Sequence, residues 1–189
     1  MAGNSTNVRV GYAGFAYKAA VGTAGPTDLA TAWGVGWTDL GLIGADDGVT
    51  ESNDEERDSF YAMGYEAPVR TQKRQKTTQF ALTFIETNPT ILGLYHDVDL
   101  DDMTEVGTGA GIAFTQSQNG DVNEFALGLD IVDGAKKMRF WMPRVMVAEK
   151  GEVTYKGDEM VGYELTFQAL LSSDNVVMKR MYGGLELPE

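Results

Sequence analysis

At 189 residues the chain suits a single domain with a sizeable buried core, and a hydrophobic share of 43% argues against wholesale disorder despite 23 glycines. Its 28 acidic against 15 basic residues leave a net charge of −13, which disfavours wrapping nucleic acid. The absence of cysteine excludes disulfides, thiolate nucleophiles and Cys-ligated metals.

The opening "MAGNSTNVRV" has no apolar core of signal-peptide length, and no apolar run approaches a membrane span. A chain made and folded in a cytoplasm is therefore expected. "PTDLATAW", opened by Pro26, is a weak helix candidate. From Ala45 to Asp58 the chain carries seven carboxylates (Asp46, Asp47, Glu51, Asp54, Glu55, Glu56 and Asp58) and a single base, Arg57. Gly48, Ser52 and Asn53 weigh against a charged helix there and predict an extended loop. The following "VRTQKRQK" holds Arg70, Lys73, Arg74 and Lys76 with no acid, so it begins a basic strand. Charge blocks of opposite sign so near in sequence invite pairing, within the chain or between copies of it.

Period-two patterns dominate from here on. In "TTQFALTFIE", Phe80, Leu82 and Phe84 oppose Gln79, Ala81 and Thr83. Asn88-Pro89 then marks a switch to helix: Asn88 is a good N-cap, and Pro89 suits the first helical position, where its missing N–H costs nothing. Ile91, Leu92 and Tyr95 form the apolar stripe of this short helix, and Asp97 begins the polar run that ends it.

"DVDLDDMTEVG" starts like a calcium loop, but Asp102 stands where glycine is required and Thr108 where the closing Glu belongs. It reads as a solvated loop. "GTGAGIAF" lacks the dinucleotide spacing and leads into a strand, with no helix N-terminus for phosphate. Further strands are predicted in "VNEFALGLDIV", with Phe125, Leu127, Leu129 and Ile131 on one face, and in "KKMRFWMPRVMVA", where Pro143 calls for an edge or a bulge. "GYELTFQALL" alternates Tyr163, Leu165, Phe167, Ala169 and Leu171 with Glu164, Thr166 and Gln168, and "NVVMKRMYGG" closes the series. Turn signals at "QNGD", "EKGE" and "KGDE" separate them. The fold class is mainly β: an antiparallel sandwich or barrel with one short flanking α-helix.

No enzymatic constellation emerges. His96 is the only histidine and sits at the helix end, where a structural role is expected. Trp33, Trp37 and Trp141 suit a sugar or base platform, yet aromatics beside strand patterns belong more often to a core. A small-ligand-binding β-barrel, or a carbohydrate-active sandwich enzyme using a carboxylate pair brought together in space, remain as alternatives to a structural protein.

"WTDLGLIGADDGVTESNDEERDSFYAMG" followed by "PVRTQKRQKTTQFALTFIETNPTILGLYH" resembles the major tail tube proteins of long-tailed bacteriophages. The matching elements are Trp37, Leu40, Gly41, Ile43, Gly48 and Val49, the "FIETNP" strand end, and Leu94-Tyr95; "GFAYKAAVGTAGPTD" resembles the family's opening. The resemblance implies one tail tube domain over residues 1–189: two packed antiparallel sheets, a flanking helix and a long inter-ring loop, with no immunoglobulin-like C-terminal domain. It implies a structural virion protein, without catalysis, cofactor, metal or membrane. Made in the host cytoplasm, the subunit would form homo-hexameric rings stacked into a hollow tail. Double-stranded DNA would pass through an acidic lumen without specific binding. Tape measure, tail terminator and tail tip proteins are the implied further partners. Within that frame the carboxylates of Ala45–Asp58 and the bases Arg70, Lys73, Arg74 and Lys76 are the candidate inter-subunit contacts. Ile91, Leu92 and Tyr95 pack the helix onto the outer sheet.

Overall fold

Alternating side chains decide which face of each strand is buried, and the computed structural model describes the outcome for residues 5–109, 111–116 and 123–185. In chain order the strands are β1 (Ala13–Ala19), β2 (Thr38–Asp39), β3 (Val49–Phe60), β4 (Arg70–Phe84), β5 (Thr104–Glu105), β6 (Ile112–Ala113), β7 (Glu124–Asp133), β8 (Lys136–Lys150), β9 (Tyr163–Ala169) and β10 (Lys179–Tyr182), with helix α1 (Pro89–His96) between β4 and β5. An antiparallel sheet of eight strands runs β2-β1-β7-β8-β9-β4-β3, with β10 paired beside β8. Strands β5 and β6 form a small separate hairpin.

The sheet curls on itself. Leu40 N–H donates to the Ala16 carbonyl of β1, while Gly44 and Ile85 exchange backbone bonds with Thr83 and Leu42. An isolated bridge joins Ile43 to Phe84. The segment 40–44 thus links β1 to the far side of the sheet at β4 and closes a barrel-like core. Phe80, Phe84, Leu127, Leu129, Met142, Leu165 and Phe167 fill its interior, and the Phe84 and Phe125 rings meet Phe167 edge-on. Each such side chain contributes about 1.5–3 kcal/mol when fully buried.

The alternation expected in the second half of β4 is observed, and that of β9 holds from Tyr163 to Ala169, whereas Leu171, expected on the same face, lies past the end of the strand and is exposed. Strand β7 departs from it, because its central residues are buried on both faces. Phe125, Leu127 and Leu129 face the core, while the residues between them lie under the segment 20–37. Trp33 covers Gly128 so closely that a Cβ there would come within 2.3 Å of the indole. The strand β8 is central and not an edge; Pro143 falls where the pairing with β7 slips, between Met142 opposite Leu127 and Val145 opposite Phe125. The expected bulge is present, and it marks where β8 changes its second neighbour from β10 to β9.

"PTDLATAW" is not a helix. The Asp28 carboxylate accepts the Ala30 and Thr31 N–H groups at 2.8 and 2.7 Å, a local turn that competes with helical bonding. Arg139 then takes the Asp28 and Thr31 carbonyls for itself.

Helix α1 forms where expected. The Ile91 N–H donates to the Asn88 side chain at 2.9 Å, and Asp97, in the left-handed conformation, caps the other end. Ile91 is fully buried, Leu92 and Tyr95 pack against the core from its margin, and Leu94 joins them, which the stripe did not include. Eight residues are too few for an independent helix, so packing holds it. The Tyr95 hydroxyl donates to the Gly151 carbonyl at 2.7 Å, and its ring meets Tyr163 of β9 edge-on. His96 lies against Tyr95 and Phe114 in an aromatic cluster. The "QNGD" turn, at 118–121, lies outside the described residues.

Candidate functional site

The acidic segment expected as a loop is a strand. β3 pairs with β4 from Val49 opposite Leu82 out to Phe60 opposite Arg70. Thr50, Glu51 and Ser52 lie over Ala81, Phe80 and Gln79, so the ladder that orders the core continues outward through the charged residues. Backbone bonding overrides the turn-forming preference of Ser52 and Asn53. Asn53 even contributes, accepting from the buried Thr78 hydroxyl at 2.8 Å.

Beyond Thr77 the hairpin leaves the core, and residues 53–60 and 70–76 are exposed on both faces. A two-stranded ribbon of this kind has little of its own to bury and is marginal alone. Its tip, residues 60–69, presents Phe60, Tyr61, Met63, Tyr65 and Val69, all exposed, with Met63 wholly so.

Opposite residues in an antiparallel pair share a face. On the face continuous with Phe80 and Thr78, Glu55 stands opposite Lys76 and Arg57 opposite Lys73. The like charges of Arg57 and Lys73 would repel, but Glu55 accepts from both, at 3.1 and 2.9 Å. The Lys73 ammonium first and the Arg57 guanidinium second pull the Glu55 carboxyl down to about 2. On the other face Asp54, Glu56 and Asp58 stand opposite Thr77, Gln75 and Gln72, all uncharged. The three carboxylates have no base opposite them, and the row ends at Arg70, which stands opposite Phe60. Arg74 is the extra residue at the register shift between Glu56 and Arg57, and nothing stands opposite it.

The expected charge pairing therefore divides. Within the chain it is met for Glu55 by Lys73, and for Glu51 by Arg180 of β10, which the sequence blocks did not suggest. Asp54, Glu56, Asp58, Arg70, Arg74 and Lys76 form no ion pair among the described residues. Asp46 and Asp47 precede β3 in a turn at the hairpin root, where Asp47 borders a small polar cleft with Thr50, Thr83 and Glu164.

The tryptophans are structural. Arg139 and Asp130 are buried and paired through two hydrogen bonds, with Trp33 donating to the same carboxylate at 3.1 Å, stacked on Tyr17 and meeting Trp37 at a tilt. Trp141 donates to the Thr23 carbonyl at 3.1 Å. Together they pin the segment 20–37 to the outside of β7 and β8. Burial of the Tyr17 phenol beside them pushes its pKa up, with Asp39 and Asp130 adding to the effect.

A protein-family model described as "Phage tail tube protein" matches residues 1–181. No curated protein matches. Among solved structures, a chain from the cryo-EM structure of the anti-feeding prophage baseplate, 6-fold symmetrised, is 11% identical, covers 98% of this chain and 100% of its own length, and gives a TM-score of 0.46.

Proposed function

This chain belongs to the phage tail tube protein family, and from that premise we propose that six copies close into a ring, that rings stack into a hollow tube, and that DNA leaves the capsid through the lumen. It is a structural protein of the phage tail, a component of the virion. The β3–β4 ribbon is the arm by which one ring holds the next.

The ribbon itself carries the proposal. A solvated two-stranded extension with an apolar tip and an unbalanced acidic face is a poor ending for a lone subunit, since such edges recruit other chains. It is a good ending for a subunit that is completed by neighbours. Asp54, Glu56 and Asp58 then meet bases of an adjacent copy, with Arg70, Arg74 and Lys76 the available counterparts. The net charge of −13 suits a conduit, because a wall that bound phosphates would have to release them at every step of ejection. The packed interior, filled by Phe84, Leu127 and Phe167, supports a structural role over a ligand-binding barrel.

Negative-stain electron microscopy of the concentrated protein tests the reading. Rings or hollow tubes are expected from the native chain. The Arg74→Glu, Lys76→Glu double variant should stay folded by circular dichroism and form none. Normal tubes from that variant would rule out these bases as contacts, and a native chain that never assembles would rule out self-stacking.

A further inference from the structure

At the barrel end that carries α1 lies a cleft of about 250 Å³, bordered by Lys18 and Ala19 of β1, Phe125 of β7, Gly36, Thr90 and Leu100. Small-molecule sites span roughly 300–1,000 Å³, so this one suits one or two side chains better than a ligand. Its floor is apolar, and the Lys18 ammonium lies 5.2 Å over the Phe125 ring. Glu124 at its rim is already held by Arg144 through two bonds of 2.7 Å. Asp99 is near enough to act on the Lys18 charge but forms no ion pair with it among the described residues, which leaves the ammonium open to a further carboxylate.

The cleft and the ribbon tip lie at opposite ends of the barrel. β4 starts at the tip with Arg70 and reaches α1 through Phe84. The Ala19 end of β1 lies at the α1 end, since Ala16 bonds Leu40 and Leu40 accepts from Asn88 at the helix cap. The tip offers what the cleft lacks: Tyr61, Met63 and Tyr65 exposed, and Glu66 as the single charge of residues 60–69.

The geometry points to this cleft as the seat for the ribbon tip of a second copy, with apolar tip side chains over Phe125 and Leu100 and Glu66 facing Lys18. The inference rests on the stacked-ring reading and names the surface that receives the arm. Because tip and seat are different surfaces at opposite ends, the contact repeats without closing, which is what a growing tube requires.

The chain has no native cysteine, so crosslinking is clean. The Met63→Cys, Leu100→Cys double variant, assembled and then oxidised, should give a denaturation-resistant ladder of dimers, trimers and longer species; either single variant stops at dimers. Lys18→Glu should lower assembly by about tenfold or more through like-charge contact with Glu66, and adding Glu66→Lys should restore it. Rings or tubes without a ladder overturn the seat and leave ring stacking standing. A ladder from a chain that never forms rings keeps the seat and overturns the ring reading. Absence of both overturns both.

Discussion

Arg139 grips Asp130 through two hydrogen bonds of 2.6 and 2.7 Å, directly across the β7–β8 ladder and almost wholly out of solvent. The remaining guanidinium nitrogen donates to the Asp28 and Thr31 carbonyls, so one buried side chain both balances a charge and ties down the segment 20–37. Lys137, 3.4 Å from the same carboxylate, adds a second cation at its edge.

Breaking one partner of a buried pair leaves an uncompensated charge. Arg139→Met is therefore expected to cost about 3–5 kcal/mol in urea unfolding. The paired change Arg139→Met, Asp130→Leu should recover part of the loss by removing the orphaned charge, while the loop carbonyls stay unbound. A single-variant loss below about 1 kcal/mol would mean that the pair contributes little here.

Gly128 and Gly25 give way to indoles. A Cβ at Gly128 would sit 2.3 Å from Trp33, and one at Gly25 would sit 2.5 Å from Trp141. Gly128→Ala must displace Trp33 from its place between Tyr17 and Arg139, at about 1–3 kcal/mol for overpacking. Near-ultraviolet circular dichroism should lose aromatic intensity in this variant; an unchanged spectrum and melting temperature would refute the close contact.

Asn88 does two things at the strand-to-helix switch. Its oxygen caps α1 at Ile91, and its amide nitrogen donates to the Leu40 carbonyl at 3.0 Å. Asn88→Ala should cost about 1–2 kcal/mol in thermal unfolding. Asn88→Asp keeps the cap and loses the donor, so it should fall between native and Ala.

Glu55 sets the acid behaviour of the ribbon. Its folded pKa, about 2, lies below the ordinary 4.5, so the stabilisation is fully present above 4.5 and is lost as pH falls through the folded value. Amide protection factors in the Arg57–Lys73 region, taken relative to the intrinsic exchange rate at each pH, should fall across that window, and Glu55→Gln should remove this change. Because the pair is exposed, salt near 1 M should flatten it as well.

Much of this protein was legible in the sequence because the relevant physics is local. The period-two runs around Phe80, Leu165 and Phe167 need only a sheet to face, and Asn88-Pro89 needs only a helix to start. Local chemistry also misled. Gly48, Ser52 and Asn53 favour a turn, yet β3 continues through Ser52 and Asn53 because β4 offers each residue a backbone partner 25 or more positions away. Pro26 favours a helix, yet Asp28 and Arg139 claim the backbone groups that a helix would use.

Sequence alone determined the β class, the capped helix and the two charge blocks, since each depends on neighbours within a few residues. Only the tertiary structure decided which charges are already paired. Register put Glu55 beside Lys73 and placed Asp54, Glu56 and Asp58 across from neutral residues, and pairing over long separations cannot be read from composition. The fold likewise sent the apolar tip and the Lys18 cleft to opposite ends of one barrel, which turns two unremarkable stretches of chain into the two halves of a repeating contact.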